Sequence, residues 1–283
     1  MNDLTSAEIV DTKKLFYQLV KKDYKKLFLW IFVSLLWTIA SIAFLPHVII
    51  ESELGFLIFL SPWFLHAALL VGLYGQIREA FWKQLSLKYN WEYQSFKDTS
   101  EEKSLLFQIG HSRIVHHGIQ GTYNNLPFHI FEYEYTRGSG KSKRTYSFTV
   151  FEVKFAGTFP HLYLNYKSDW YSNTPSMFSS LARISVPSEF ADKFKLYAPK
   201  EYEIETLEIF TPNIFAFLLD SKWNHDMEFI NGELVIYNDE KFTNFTSLDA
   251  ELNKIKKFID TLSPLLNRLR LTQIGDISPP LGK

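Results

Sequence analysis

The chain has 283 residues, 46% of them hydrophobic, and its 30 Lys and Arg against 31 Asp and Glu leave a formal net charge of -1. Such a balance excludes the strongly basic surface of a general nucleic-acid binder, while the length is ample for a filled core. The absence of cysteine removes disulfides, thiolate nucleophiles, iron–sulfur clusters and cysteine-ligated zinc.

Residues 1–26 read as an amphipathic helix. Thr5-Ser6-Ala7-Glu8 has capping-box spacing, and Ile9, Leu15, Phe16, Leu19 and Val20 form one apolar stripe among lysines. Two runs without Asp, Glu, Lys or Arg follow, at 27–50 and 54–75, separated by Glu51-Ser52-Glu53. At about 1.5 Å per residue each is long enough for a hydrocarbon layer of about 30 Å. The expectation is a two-helix transmembrane hairpin over 27–75. Lys13, Lys14, Lys21, Lys22, Lys25 and Lys26 before it, with Arg78, Lys83 and Lys88 after it, place both termini in the cytoplasm of a multi-pass protein of the bacterial plasma (inner) membrane. Thr38 and His66 are each fourteen residues from Ser52, so in such a hairpin they share a depth. They are candidate intramembrane polar residues, either a relay in an oligomeric transport component or a hydrogen bond joining the helices.

The second run continues as helix to about Lys88, through Ile77, Phe81 and Leu85. A β-rich cytoplasmic unit is expected over 76–170. Phe128–Tyr135 and Arg144–Phe155 are aromatic and β-branched, and the turn-forming Arg137-Gly138-Ser139-Gly140-Lys141-Ser142 joins them as a long-tipped hairpin. In the return strand the apolar phase moves from Tyr146, Phe148 and Val150 to Phe151, Val153 and Phe155, which suggests a β-bulge near Val150. A second α+β unit is expected over 171–275. Thr211-Pro212 opens a helix, Asn231-Gly232 is a two-residue hairpin signal, and Leu248, Leu252, Ile255, Ile259, Leu262, Leu266 and Leu269 stripe a final helix that Pro264 interrupts. This stripe suits packing on the sheet or dimerisation. Residues 276–283 read as a disordered tail. The fold class expected is α+β, a transmembrane hairpin followed by a cytoplasmic domain of antiparallel sheet(s) with flanking helices.

The glycine-rich tip fails as a P-loop, because the first glycine of that pattern falls on Tyr135 and the segment joins two strands. Its chemistry is a cluster of cations, Arg137, Lys141, Lys143 and Arg144, around the flexible Gly138 and Gly140, suited to an anionic ligand or partner. His111, His116, His117 and His129 do not converge on one ion by strand alternation, so no metal or other cofactor is expected. Glu132 and Glu134 share a strand face at about 7 Å, and with His129 they are the alternative, an acid–base site. No hydrolase elbow, zincin helix or dinucleotide fingerprint is present.

Gly118-Ile-Gln-Gly121-Thr-Tyr123, then Phe131-Glu-Tyr133-Glu-Tyr135-Thr-Arg-Gly138-Ser-Gly-Lys141, then the threonine-rich return strand Thr145–Val150, resemble a bacterial family catalogued only as a domain of unknown function. Phe190 to Ala198 and Thr211 to Tyr237 look like its second half, so the resemblance covers roughly 90–262. It implies a membrane-tethered cytoplasmic module and carries over no activity or catalytic residue. The reading is a non-enzymatic binding or scaffolding module. Its partners are a lipid bilayer and, at the tip, anionic head groups or a protein; nucleic acid is not among them, and an oligomer is possible.

Overall fold

The computed structural model describes residues 21, 25, 28–40, 53–95, 104–157, 159–167 and 181–276; the side chains of 53–60, 62, 65, 66, 69 and 270–276 are not described. Most of the N-terminal amphipathic helix, its capping box, Glu51 and Ser52, and the tail beyond Asp276 therefore lie outside the described residues. The chain divides into two compact units, Met1–Leu85 and Ser86–Lys283.

In the first unit, residues 28–40 are helical (α1), and α2, Glu53–Tyr89, runs on into the second. The expected transmembrane hairpin is corrected here: among the described residues no helix is long and apolar enough to cross a membrane. The described side chains of α2 include Ser61, Tyr74 and Gln76, then Arg78, Glu79, Lys83 and Lys88. The membrane placement, the multi-pass topology and the shared depth of Thr38 and His66 fall with the hairpin. An apolar run of sufficient length is a necessary condition for a span and not a sufficient one.

The second unit is built on a nine-stranded sheet in the order β1-β2-β3-β4-β9-β8-β5-β7-β6, antiparallel throughout. The strands are β1 (Glu92–Gln94), β2 (His111–Tyr123), β3 (Leu126–Arg137), β4 (Arg144–Lys154), β5 (Leu162–Tyr166), β6 (Ala182–Arg183), β7 (Phe194–Ala198), β8 (Asp226–Ile230) and β9 (Glu233–Asn238). Helices α3 (Ser188–Lys193), α4 (Glu203–Ile209) and α5 (Pro212–Asp220) lie between β6 and β8, and α6 (Phe245–Asp276) closes the chain. In place of one or more sheets after a transmembrane hairpin, the described fold is this single sheet with its helices.

Both faces of the central strands are buried. Phe131, Tyr133, Tyr135, Phe148, Val150, Val235 and Tyr237 form one face, packed with Leu106, Phe107 and Ile109. On the other face Phe128, Ile130, Phe151, Val153, Leu234 and Ile236 are buried in turn. That explains the change of apolar phase in β4 without a bulge: β3 and β4 pair continuously from Phe128↔Val153 to Arg137↔Arg144. A strand covered on both sides carries apolar residues in both phases. The irregularities are in β2, between His111 and Ile114 and between Val115 and Gly118.

The aliphatic stripe of α6 faces inward, with Leu248, Leu252, Ile255, Ile259, Leu262 and Leu266 all buried. The helix continues through Pro264. Its first half is tied to the start of the unit by Asp249, which accepts hydrogen bonds from Lys88 and from the Tyr89 hydroxyl. Lys256 lies over the rings of Tyr89, Trp91 and Tyr123 at 5.1–5.9 Å. Asp260 accepts from the Tyr123 hydroxyl and the Asn124 amide, both at 2.8 Å.

Asn231 and Gly232 make the turn of the β8–β9 hairpin with φ of 52° and 80°, the type I′ geometry that matches strand twist. A Cβ on Gly232 would meet the Gly157 carbonyl oxygen at 2.4 Å. Gly232→Ala therefore combines a left-handed strain with a backbone clash and is expected to cost about 1–3 kcal/mol in urea unfolding; an unchanged midpoint would show that this turn is not held against residue 157.

Candidate functional site

The β3–β4 tip is an internally hydrogen-bonded turn. Gly138, at φ 75°, leaves no room for a Cβ, which would meet the Ser142 carbonyl oxygen at 2.6 Å. The Ser142 hydroxyl donates to the Ser139 carbonyl at 2.8 Å, the Ser142 amide to the same carbonyl at 3.1 Å, and the Lys143 amide to the Gly140 carbonyl at 3.3 Å. His111 Nε2 donates to the Gly138 carbonyl at 3.0 Å. The Ser142 and Lys143 amides are thus engaged inside the turn, and the charge the tip offers an anion is that of its side-chain cations. Lys141, Lys143 and Arg144 are exposed. Arg137 instead folds back over the rings of Tyr135 and Tyr146 at 5.7 and 5.8 Å, a cation–π arrangement that holds its charge at the base of the tip.

The acid–base candidates are not brought together. The unbroken β3–β4 register places His129 opposite Glu152, and Glu132 and Glu134 opposite Thr149 and Ser147. By alternation His129 is on one face and the two glutamates on the other. His129 Nδ1 lies 3.4 Å from the Glu152 carboxylate. Glu134 accepts from His116 at 2.9 Å, from the Ser147 hydroxyl and from Lys241 at 3.1 Å. The His116 contact chiefly, then Ser147 and Lys241, outweigh burial and pull its carboxyl down to about 2. A group so held is a tie between β2, β3, β4 and the segment after β9, poorly suited to exchanging protons near neutral pH. Glu132 is buried.

Two interior carboxylates escape sequence reasoning. Asp226 is 0% exposed and accepts from the Tyr163 hydroxyl at 3.0 Å, the Tyr166 amide at 2.7 Å and the Asn165 amide at 3.3 Å. Glu228, also 0% exposed, accepts from the Ser104 hydroxyl at 2.7 Å and the Leu105 amide at 2.8 Å, with His161 at 2.6 Å. Their partners are 60 to 124 residues away in sequence. The one local signal was acids at alternate positions in the strand Asp226-Met227-Glu228. Among the described residues no group of three or more His, Asp or Glu is placed to hold a metal ion.

In the first unit the Thr38 hydroxyl donates to the Ser34 carbonyl one turn earlier, at 2.8 Å; the His66 side chain lies outside the described residues. The main feature of α1 is its surface. Ten of its thirteen residues are large hydrophobics, between 44% and 69% exposed. They include the consecutive run Phe28 to Val33, so the apolar surface covers most of the helix and is interrupted along one strip, where Ser34 is buried and Thr38 half-buried.

No family model matches the chain, and no curated protein does. The resemblance of residues 90–262 to a family of unknown function therefore rests on the motifs quoted for it alone. Among solved structures the chain is similar to the crystal structure of the mycobacterial trehalose monomycolate transport factor A, TtfA, at 10% identity and a TM-score of 0.47, over 64% of this chain and 93% of that one.

Because the folded Glu134 carboxyl titrates near 2 against 4.5, its contribution is present above about pH 4.5 and is lost as pH falls toward 2. Glu134→Gln is expected to lower stability by about 1–3 kcal/mol at pH 7 and to flatten the acid limb of urea-unfolding stability. Parallel curves for the two proteins would show that the carboxylate does not tie these strands.

Proposed function

We propose that the protein is a non-enzymatic binding module that associates with lipid. The observation that carries this is the apolar surface of α1, ten large hydrophobic side chains 44–69% exposed on thirteen residues. Full burial of each such side chain is favourable by about 1.5–3 kcal/mol. A contiguous patch of this extent marks an interaction surface. A protein groove covers one stripe of a helix, whereas acyl chains cover all of its sides, and the run Phe28 to Val33 favours the second. The exposed Lys141, Lys143 and Arg144 give the second unit a cationic tip for anionic head groups. The described carboxylate–histidine pairs act as ties within the fold, which is the support for a binding role over a catalytic one.

The test is flotation of the full chain with phosphatidylcholine vesicles, with and without phosphatidylglycerol, followed by the emission of its tryptophans. Wild type is expected to float on both. Phe32→Glu with Leu36→Glu is expected to lose at least about tenfold in partitioning. Lys141→Ala with Arg144→Ala is expected to weaken binding only to the anionic vesicles, by about tenfold or more, in a salt-dependent way. A wild-type chain that stays with the soluble fraction, or an α1 variant that floats equally well, would overturn the reading.

A further inference from the structure

Among the described residues of the second unit five large hydrophobic side chains are exposed, and three of them are neighbours in the chain: Tyr202 at 43%, Ile204 at 74% and Leu207 at 39%. They sit on α4 and on the single turn Lys200–Tyr202 that leads into it. The helix is held from beneath. Thr206 and Ile209 are wholly buried, α4 packs against α6, and the Thr206 hydroxyl donates to the Tyr202 carbonyl. With that side turned inward, Ile204 and Leu207, three positions apart, form one ridge on the outer side. Clustered exposed apolar side chains of this kind mark an interaction surface, where scattered ones do not.

Charge decides what can cover this ridge. At about 100° per residue Glu203 falls on one side of it and Glu208 on the other. Both are exposed, as is Glu201, and none of the three has an ion-pair partner among the described residues. Lys200 is the one cation between positions 200 and 210. Elsewhere in this unit carboxylates tie elements together, as at Glu134, Asp249 and Asp260; those of α4 are left to solvent. An apolar seam flanked by charges of one sign is the arrangement by which a helix selects a partner helix carrying the opposite charge on its flanks. The same carboxylates disfavour a bilayer, whose anionic head groups would meet them as the ridge was buried.

We propose that the outer face of α4 is a docking surface for a cationic amphipathic helix of a partner protein, whose apolar side covers Ile204 and Leu207 while Lys or Arg on its two flanks meets Glu203 and Glu208. A helix of seven residues offers about two turns, short of the roughly 800 Å² per partner of a long-lived complex, so the contact is a transient one. The surface lies wholly in the second unit and does not rest on the lipid-association reading, so either can fail without the other.

The experiment titrates the full chain into a fluorescein-labelled peptide of leucine and lysine, its leucines at helical spacing, and into a scrambled peptide of the same composition, with binding read by anisotropy. The amphipathic peptide is expected to bind at least about tenfold tighter than the scrambled one. Ile204→Ser with Leu207→Ser is expected to weaken its binding by about tenfold or more at an unchanged melting temperature, since both side chains are exposed. Glu203→Gln with Glu208→Gln is expected to weaken it by about threefold to tenfold in low salt and to flatten its salt dependence. No binding by wild type, equal binding of the two peptides, or an affinity untouched by the Ile204 and Leu207 substitutions would each overturn the proposal. So would a loss of vesicle flotation in that double variant, which would assign the ridge to the bilayer.

Discussion

The second unit depends on the satisfaction of a buried carboxyl group. Asp226 is wholly removed from water, and an unpaired carboxylate in that position would cost several kcal/mol. Its partners fix where the chain goes. Tyr163, Asn165 and Tyr166 all belong to β5 and contribute a hydroxyl, a side-chain amide and a backbone amide, while the Tyr163 hydroxyl also meets that of Tyr237 on β9 at 3.2 Å. Two residues further along the same strand, Glu228 takes the Ser104 hydroxyl and the Leu105 amide, seating the one-turn helix Leu105–Gln108 that covers the aromatic face. The five residues of β8 thereby join β5, β9 and the cover of the core.

Much of the local structure follows from pattern. Alternating aromatic and β-branched residues on either side of Gly138 and Gly140 specify the β3–β4 hairpin, Asn231-Gly232 specifies the turn between β8 and β9, and the spacing from Leu248 to Leu266 specifies the inward face of α6. Order within the sheet was not legible, because it is decided by contacts such as Asp226 to Tyr166 that no window of sequence contains. The supposed bulge at Val150 has a plain cause: a strand buried on both faces defeats a reading that assumes one wet side. The apolar run ahead of Gly75 misled in a different way, since hydropathy reports what a helix prefers to touch, and the described helices lack the combination of length and apolarity that a span needs.

The candidate site was legible in its composition and not in its behaviour. The cations of the tip are where the sequence places them, on an exposed turn, but Arg137 is drawn back onto Tyr135 and Tyr146, and the Ser142 and Lys143 amides are used within the turn. The histidines, which invite a metal or proton-transfer reading, are distributed among separate partners: His116 with Glu134, His129 with Glu152, His161 with Glu228. The first two pairs connect neighbouring strands, and the third connects the residue just before β5 to β8. The chemistry of this unit is thus mostly invested in its own cohesion; the features that stand apart are its basic tip and, in the first unit, the apolar surface of α1.

The place of β8 and β9 in the sheet bears on how the protein is made. Strands β4 and β5 follow one another in the chain but are separated in the sheet by a hairpin encoded some sixty residues later. On the ribosome, a chain that has emerged as far as Asp220 therefore carries two open strand edges with the gap between them unfilled, and the acceptor for Tyr163 has not yet been synthesised. Open edges of this kind pair readily with other chains. The unit is committed to completing its sheet from the middle and only after most of it has been translated, an order of events that favours holding the nascent chain unpaired over early, stepwise folding.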